Sequence, residues 1–423
     1  MNRAWSIVAV AFVANFVSMG TVMQPVPVFL VAFSEEFAIG RGEASLISVV
    51  MLAGGAVIMP VVGRAIARFP IRNMMVAGAL VLAGTFYAMS LATEFWHVLV
   101  LFSLPCGFGI GAFGVIATNT LMVNWFEGNR GLVLGVAMMG MSLAGVAMVP
   151  LSTWAYEEWG WRGLCRMLAV FNLAVVPLVA LTVVTRPSDV GLRPVGADVS
   201  PESEPVTGEN DSEVPASTRE ILTNPSLWMI AAASGLVFFG SMGIMNHGLA
   251  FARDRGIDPL LASGVLSAIA LGAGAGKLVF GWLAGRIGEH GAFATALVMQ
   301  IITLAAYLLP SSYAVLITVS VVYGLGLGGI SPLQAALLAR GVGARNFAPA
   351  QGLMGPVQIP FQITGPPLAG FIFDARGSYD LAIMIFIGAL VVSGIMLAAL
   401  YSRDVRGAVS AVSYTHLRAT RPY

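Results

Sequence analysis

Of the 22 basic residues in the chain, 21 are arginines near span ends, in loops or in tails; the exception is Lys277, inside an apolar run. It lies nine residues before Arg286, about 13 Å along a helix at 1.5 Å per residue. That depth is close to a bilayer midplane, where a cation costs about 2.5–3.5 kcal/mol. No Asp or Glu sits within an apolar run to offset it. Glu35, Glu36, Glu43, Glu94, Asp254, Asp374 and Asp380 fall at one set of run ends, and Glu127, Glu289 and Asp404 at the other. The missing partner reads most simply as an anion that comes and goes. The alternative is a stem that snorkels to the surface, or an amine that donates to backbone carbonyls, for which Gly272, Gly274 and Gly276 leave room. A desolvated lysine can also release its proton, so Lys277 is a candidate proton site as well as an anion grip.

Uncharged polar residues at similar depth are the other candidates: Asn15, Ser18, Gln24, Asn119, Ser142, Asn246, His247, Tyr323, Gln358, Gln362 and Thr364. Such donors suit a carboxylate's second oxygen and a neighbouring hydroxyl or keto group. Interhelical hydrogen bonding, at about 0.6 kcal/mol each, is the competing use. His247 has an unperturbed pKa near 6.5, which makes it the second candidate proton site; a neutral ring lining the interior is the other reading.

The elements that must hold these residues follow from composition. The chain has 423 residues, 57% apolar and only 10% charged, against about 25% charged in soluble domains. That excludes a water-soluble globule, and a net charge of +1 excludes binding nucleic acid through a broad basic surface. Two cysteines, Cys106 and Cys165, make neither a disulfide scaffold nor a zinc site, and no metal or cofactor is called for. At about 20 apolar residues per crossing, twelve spans are expected, near 5–31, 44–63, 73–92, 97–124, 131–153, 163–185, 226–250, 261–283, 291–309, 313–339, 350–373 and 380–401. The first follows Met1 to Ala4 directly and is expected to remain as a helix.

Residues 186–224 hold eight acids and three arginines with few apolar residues, too little to build a core. They are expected to form a flexible cytoplasmic linker between six-helix bundles at 1–185 and 225–402. The tail, 403–423, ends in Ser413-Tyr414-Thr415-His416-Leu417-Arg418-Ala419, which has the look of translated cloning adaptor and is assigned no function. Thirteen arginines against six place both termini in the cytoplasm by the positive-inside rule. The fold class is therefore an all-α polytopic membrane protein, twelve helices in two pseudo-symmetric bundles, placed in the cell's inner membrane.

The halves echo each other, as in carriers built from repeats. Phe16-Val17-Ser18-Met19-Gly20 recurs as Phe239-Gly240-Ser241-Met242-Gly243, which aligns His247 with Gln24. Gly107, Gly109 and Gly111 recur as Gly324, Gly326 and Gly328. The loop GRAIARFPIR, Gly63 to Arg72, falls where GWLAGRIGEH, Gly281 to His290, falls in the second half.

These loops resemble the signature loop of the major facilitator superfamily. Gly63, Arg68 and Arg72 fit the first copy, and Gly281, Arg286 and Gly288 the second. The family's usual acid is replaced by Ala67 and Gly285. The resemblance implies an inner-gate latch at these loops, here without its acids. Within that superfamily the chain is most similar to the monocarboxylate and oxalate/formate porters. Gly365-Pro366-Pro367-Leu368-Ala369-Gly370-Phe371-Ile372-Phe373-Asp374 followed by Gly377-Ser378-Tyr379 carries that likeness, with Tyr323 before its glycines and Lys277 four residues before Gly281. The resemblance implies that Lys277 stands where the family's arginine grips a substrate carboxylate, with Tyr323 reaching the same cargo.

The expected function is transport of small organic anions by alternating access in a bilayer, by a monomer, with protons or a counter-anion as coupling partners. No phosphate-binding loop points to ATP drive, and no nucleophile, base or metal ligands converge for catalysis. Efflux of apolar or cationic compounds fits the 21 Met and 23 Phe but not a lone buried cation. A receptor that uses a carrier fold without transport is the rival from another class.

Overall fold

A computed structural model describes residues 2–126, 130–195, 223–309, 312–342 and 347–419. These form twelve helical passes. Two continuous stretches show how passes are joined. Arg130–Thr182 has 53 residues, about 80 Å of helix against a hydrocarbon core of about 30 Å, so it must fold back. It does so at Gly160 (φ 66°, ψ 175°), which separates the fifth and sixth spans. Pro259–Tyr307 repeats the device at Gly288 (φ 76°, ψ 162°), between the eighth and ninth. Positive φ is open to glycine at little cost, so a single residue makes each turn.

Local chemistry sets several helix starts. Asn224 accepts from the Ser226 amide at 2.9 Å to open the seventh span, Pro225–Arg253. Asp258 accepts from the Leu260 and Leu261 amides at 3.0 and 3.3 Å to open the eighth. Such caps satisfy amides that the first turn leaves bare. The first span runs to Glu36, beyond the expected end at 31, because Phe33 stacks on Phe29 at 5.1 Å and meets the Trp161 edge at 5.4 Å. It is broken at Met23–Pro25 into Asn2–Val22 and Val26–Glu36. The fourth span is broken twice, at Ser103 and Gly114, into Phe95–Phe102, Leu104–Phe113 and Val115–Trp125. Non-helical backbone at membrane depth needs cover from protein or a water-lined space. At Gly114 the cover is Ser18 of the first span, whose hydroxyl would lie 2.6 Å from any added Cβ.

The second span comprises Arg41–Ala44 and Leu46–Arg68, and the third Ile71–Met89. Tyr313–Val342, Phe347–Arg376 and Asp380–Ala419 hold the tenth, eleventh and twelfth. The eighth and tenth are locked by glycine. A Cβ added at Gly272, Gly276, Gly324 or Gly328 would come within 2.1 Å of the Val321, Leu325, Ile269 or Ala273 carbonyl oxygen. The two backbones touch, as small residues permit in membranes.

Of the expected linker, 196–222 lies outside the described residues. Its first part is held against the fourth span: the Val195 amide donates to the Trp125 carbonyl at 2.9 Å. The Trp125 indole in turn donates to the Val184 carbonyl at 2.8 Å.

Candidate functional site

The two halves meet through the second piece of the first span against the seventh, the second against the eleventh, and the fifth against the eighth. Among the described residues, the ion pairs that cross between the halves lie toward the end bearing Arg41. There the Arg41 guanidinium donates to both oxygens of Asp254, at 2.5 and 2.7 Å, and to the Tyr379 hydroxyl at 2.9 Å. Its plane lies 3.9 Å over the Phe373 ring. The Asp374 carboxylate accepts the Arg41 and Gly42 amides at 2.8 Å each, capping a helix of the opposite half. Arg253 lies 3.7 Å from Glu35 and 3.9 Å from Glu157, again across the seam. Burial keeps the Tyr379 phenol well above its usual range, so it remains a donor. Slightly deeper, Ser48 donates to Asn246 and Ser267 to the Val146 carbonyl at 2.9 Å. Arg41, Asp254, Asp374 and Tyr379 form a clamp the sequence reading passes over. Its sequence traces are Asp374 and Tyr379 in the stretch that carries the porter likeness, an acid at the end of the seventh span, and an arginine between Gly40 and Gly42.

The opposite end is different. Cβ atoms added at Gly63, Gly281 or Gly285 would meet nothing within 4 Å. Arg286 lies 4.3 Å over Trp282 of its own helix. Among the described residues, Arg68, Arg72 and Arg286 make no ion pair with the other half. Gly288 forms the turn described above.

Lys277 lies between these ends. It is exposed, with no hydrogen bond or ion pair among the described residues. At about 100° per residue, Lys277 is about 20° around its helix from Ala270 and about 40° from Gly281. It is about 120° from Leu271 and about 140° from Trp282, which are 60% and 58% exposed on the apolar outer face. Ala270 packs against Gly145 of the fifth span. Two turns beyond that contact, the same face carries the amine.

The remaining predicted residues divide by whether their polar atoms are already used. Tyr323 is 1% exposed and donates to Ser241 at 3.2 Å. His247, 3% exposed, bonds Tyr379 and the Pro366 carbonyl. Asn246 donates to the Met242 carbonyl at 2.8 Å and accepts from Ser48. Gln358 donates to Ser234 and Gln334 at 2.7 and 3.0 Å. Against these, Gln24 at the break in the first span and half-buried Gln362 make no side-chain hydrogen bond among the described residues. The Asn119 side-chain oxygen is buried without a partner there. Broken helices with unspent polar atoms are the setting in which carriers bind cargo.

Comparison with known proteins bears on this geometry. A family model described as Major Facilitator Superfamily matches residues 9–358 and again 249–419. Monocarboxylate transporter 13 of Bos taurus is 26% identical over 394 residues, covering 92% of this chain and 87% of the relative. Monocarboxylate transporter 11 of Homo sapiens is 26% identical over 400 residues, covering 92% and 81%. Among solved structures, a bacterial homolog of the human lysosomal transporter Spinster, inward-facing and unoccupied, superposes with a TM-score of 0.71 at 16% identity. That match covers 94% of this chain and 96% of the other.

Proposed function

Because the chain belongs to the Major Facilitator Superfamily, and is a transporter rather than an enzyme, we propose that its cargo is a small organic anion of the monocarboxylate class, gripped by Lys277. The observation that carries this reading is one amine, the only lysine in 423 residues, unpaired among the described residues and about 20° around its helix from Ala270, which packs on the fifth span of the other half. A carboxylate arriving there completes the charge. Gln24, Gln362 and the bare oxygen of Asn119 offer a donor or acceptor to the rest of a hydroxy or keto acid. Relatives named as monocarboxylate transporters over 92% of the chain support the same class. Affinity should be modest, near the millimolar level of about 4 kcal/mol, since a carrier must release what it binds.

With both termini in the cytoplasm, the clamped Arg41 end faces outward and the open end inward, so the arrangement is inward-open. The cell's inner membrane, a monomeric carrier, and protons or a counter-anion as coupling partners belong to this reading. Purified protein in liposomes tests it, with lactate, pyruvate, oxalate and formate as probes. Uptake of one or more is expected, lost in Lys277→Ala and partly kept in Lys277→Arg. Uptake of an apolar or cationic compound that survives both changes, with no anion uptake, would overturn it.

A further inference from the structure

At the clamped end one imidazole has both ring nitrogens engaged, and its partners fix where each hydrogen sits. His247 Nε2 lies 2.9 Å from the Pro366 carbonyl oxygen. A carbonyl only accepts, so Nε2 carries the hydrogen and Nδ1 is bare. Nδ1 lies 3.0 Å from the Tyr379 hydroxyl, whose single hydrogen must point at it. The same hydroxyl oxygen accepts from Arg41 at 2.9 Å, and Arg41 is held by Asp254 and Asp374. A continuous chain thus runs from the Pro366 carbonyl through His247 and Tyr379 to the residue that clamps the two halves. The charged groups around the ring are Arg41 from the second span, Asp254 from the end of the seventh and Asp374 from the end of the eleventh. Tyr307 of the ninth also lines the space beside it, its hydroxyl engaged with Ser320 at 2.8 Å. In the repeat the matching position of the first half is Gln24, which cannot titrate. One half carries the device and the other does not.

We infer that His247 is a proton-binding site linked to closure of the Arg41 end: that end closes around a neutral ring and opens when the ring takes a proton. A proton added to Nδ1 meets the Tyr379 hydrogen head on. The phenol must turn that hydrogen away from its buried partner, and its oxygen must then accept from the ring as well as from Arg41. Two cations are also left with one hydroxyl between them. Withdrawal of Arg41 relieves both conflicts, and it undoes the Asp254 and Asp374 contacts together. Only an N–H bond forms, with the proton taken from water when the end opens and returned before it closes again. The inference gives the coupling proton of the transport reading above a site and a consequence; it rests on alternation between open and closed ends and not on Lys277.

The test uses full-length protein in liposomes with spin labels at Leu91→Cys and Leu309→Cys, which are 60% and 63% exposed before substitution. They lie on loops of opposite halves at the Arg41 end. Cys106 and Cys165 are wholly buried and stay unlabelled. Between pH 8 and pH 5 the inter-label distance should lengthen, without any cargo. His247→Gln offers the same donor and acceptor but no proton site, and should lose the lengthening. Tyr379→Phe removes the link and should lose it too, which keeps the test decisive if the first variant does not fold. A response that persists in either variant would overturn the inference; a parent distance indifferent to pH would also overturn it. Lys277→Ala should keep the full response, so failure of the cargo reading and failure of this one give different results.

Discussion

Arg41 and Lys277 both sit on helices at the seam between the halves, and the protein surrounds them in opposite ways. Arg41 has two carboxylates, a phenol and an aromatic face, each contributed by the other half. Lys277 is exposed and has no fixed side-chain partner among the described residues. A charge with permanent partners stabilises one arrangement of the halves. A charge without them stabilises whatever binds. The difference teaches that charge alone does not mark a cargo site in a membrane carrier; the count of fixed partners does, because an unpaired cation at depth carries a cost that an incoming anion removes.

Changes at the two residues should therefore separate cleanly. The largest expected effect is Lys277→Ala, which should cut anion uptake about 100-fold, since a lost charge-assisted contact of about 3 kcal/mol corresponds to that factor. Uptake within threefold of the parent would erase the contrast. Next is Gly276→Val, which puts a side chain where a Cβ already lies 2.1 Å from the Leu325 carbonyl. Overpacking of this kind costs about 1–3 kcal/mol and should appear as a lower unfolding temperature in detergent, with uptake falling because the amine's helix is displaced. Arg41→Gln should weaken closure by about 1–2 kcal/mol, because the guanidinium is bidentate yet its side chain is still 21% exposed, between buried and surface pairs in strength. The Leu91 and Leu309 labels should then report a longer distance at pH 8, while Lys277→Ala leaves that distance unchanged. The smallest effect is Ser267→Ala, which loses one bond across the seam, about 0.6 kcal/mol, read as a barely resolved shift in the same distance.

Much of this is legible in the sequence. Twelve crossings follow from apolar runs, and the glycines at 324 and 328 do pack a neighbouring backbone as their spacing predicts. Lys277 is conspicuous in sequence because its exceptional feature, one cation in an apolar run, is local. Arg41 is not, because its carboxylate partners are 213 and 333 residues away and only tertiary closure pairs them. In sequence it is one of the six arginines expected on the outward side. The break at Gly114 is silent for a related reason. Pro105 warns of the one at Ser103, but Gly114 follows several glycines that stay helical. Only Ser18, from another span, distinguishes it. The used and unused polar atoms likewise depend on which helix faces which: Gln358 and Gln362 are one turn apart on one helix, yet only the first meets Ser234.

The interlocked glycines of the eighth and tenth spans have a further consequence. Two helices whose backbones touch at four places cannot slide or part without losing their packing, so this part of the second half must turn as a rigid body. A covalent bridge installed between them should leave turnover intact. A bridge between Gly145 and Ala270, across the hinge line on which one body swings past the other, should bring it to a halt.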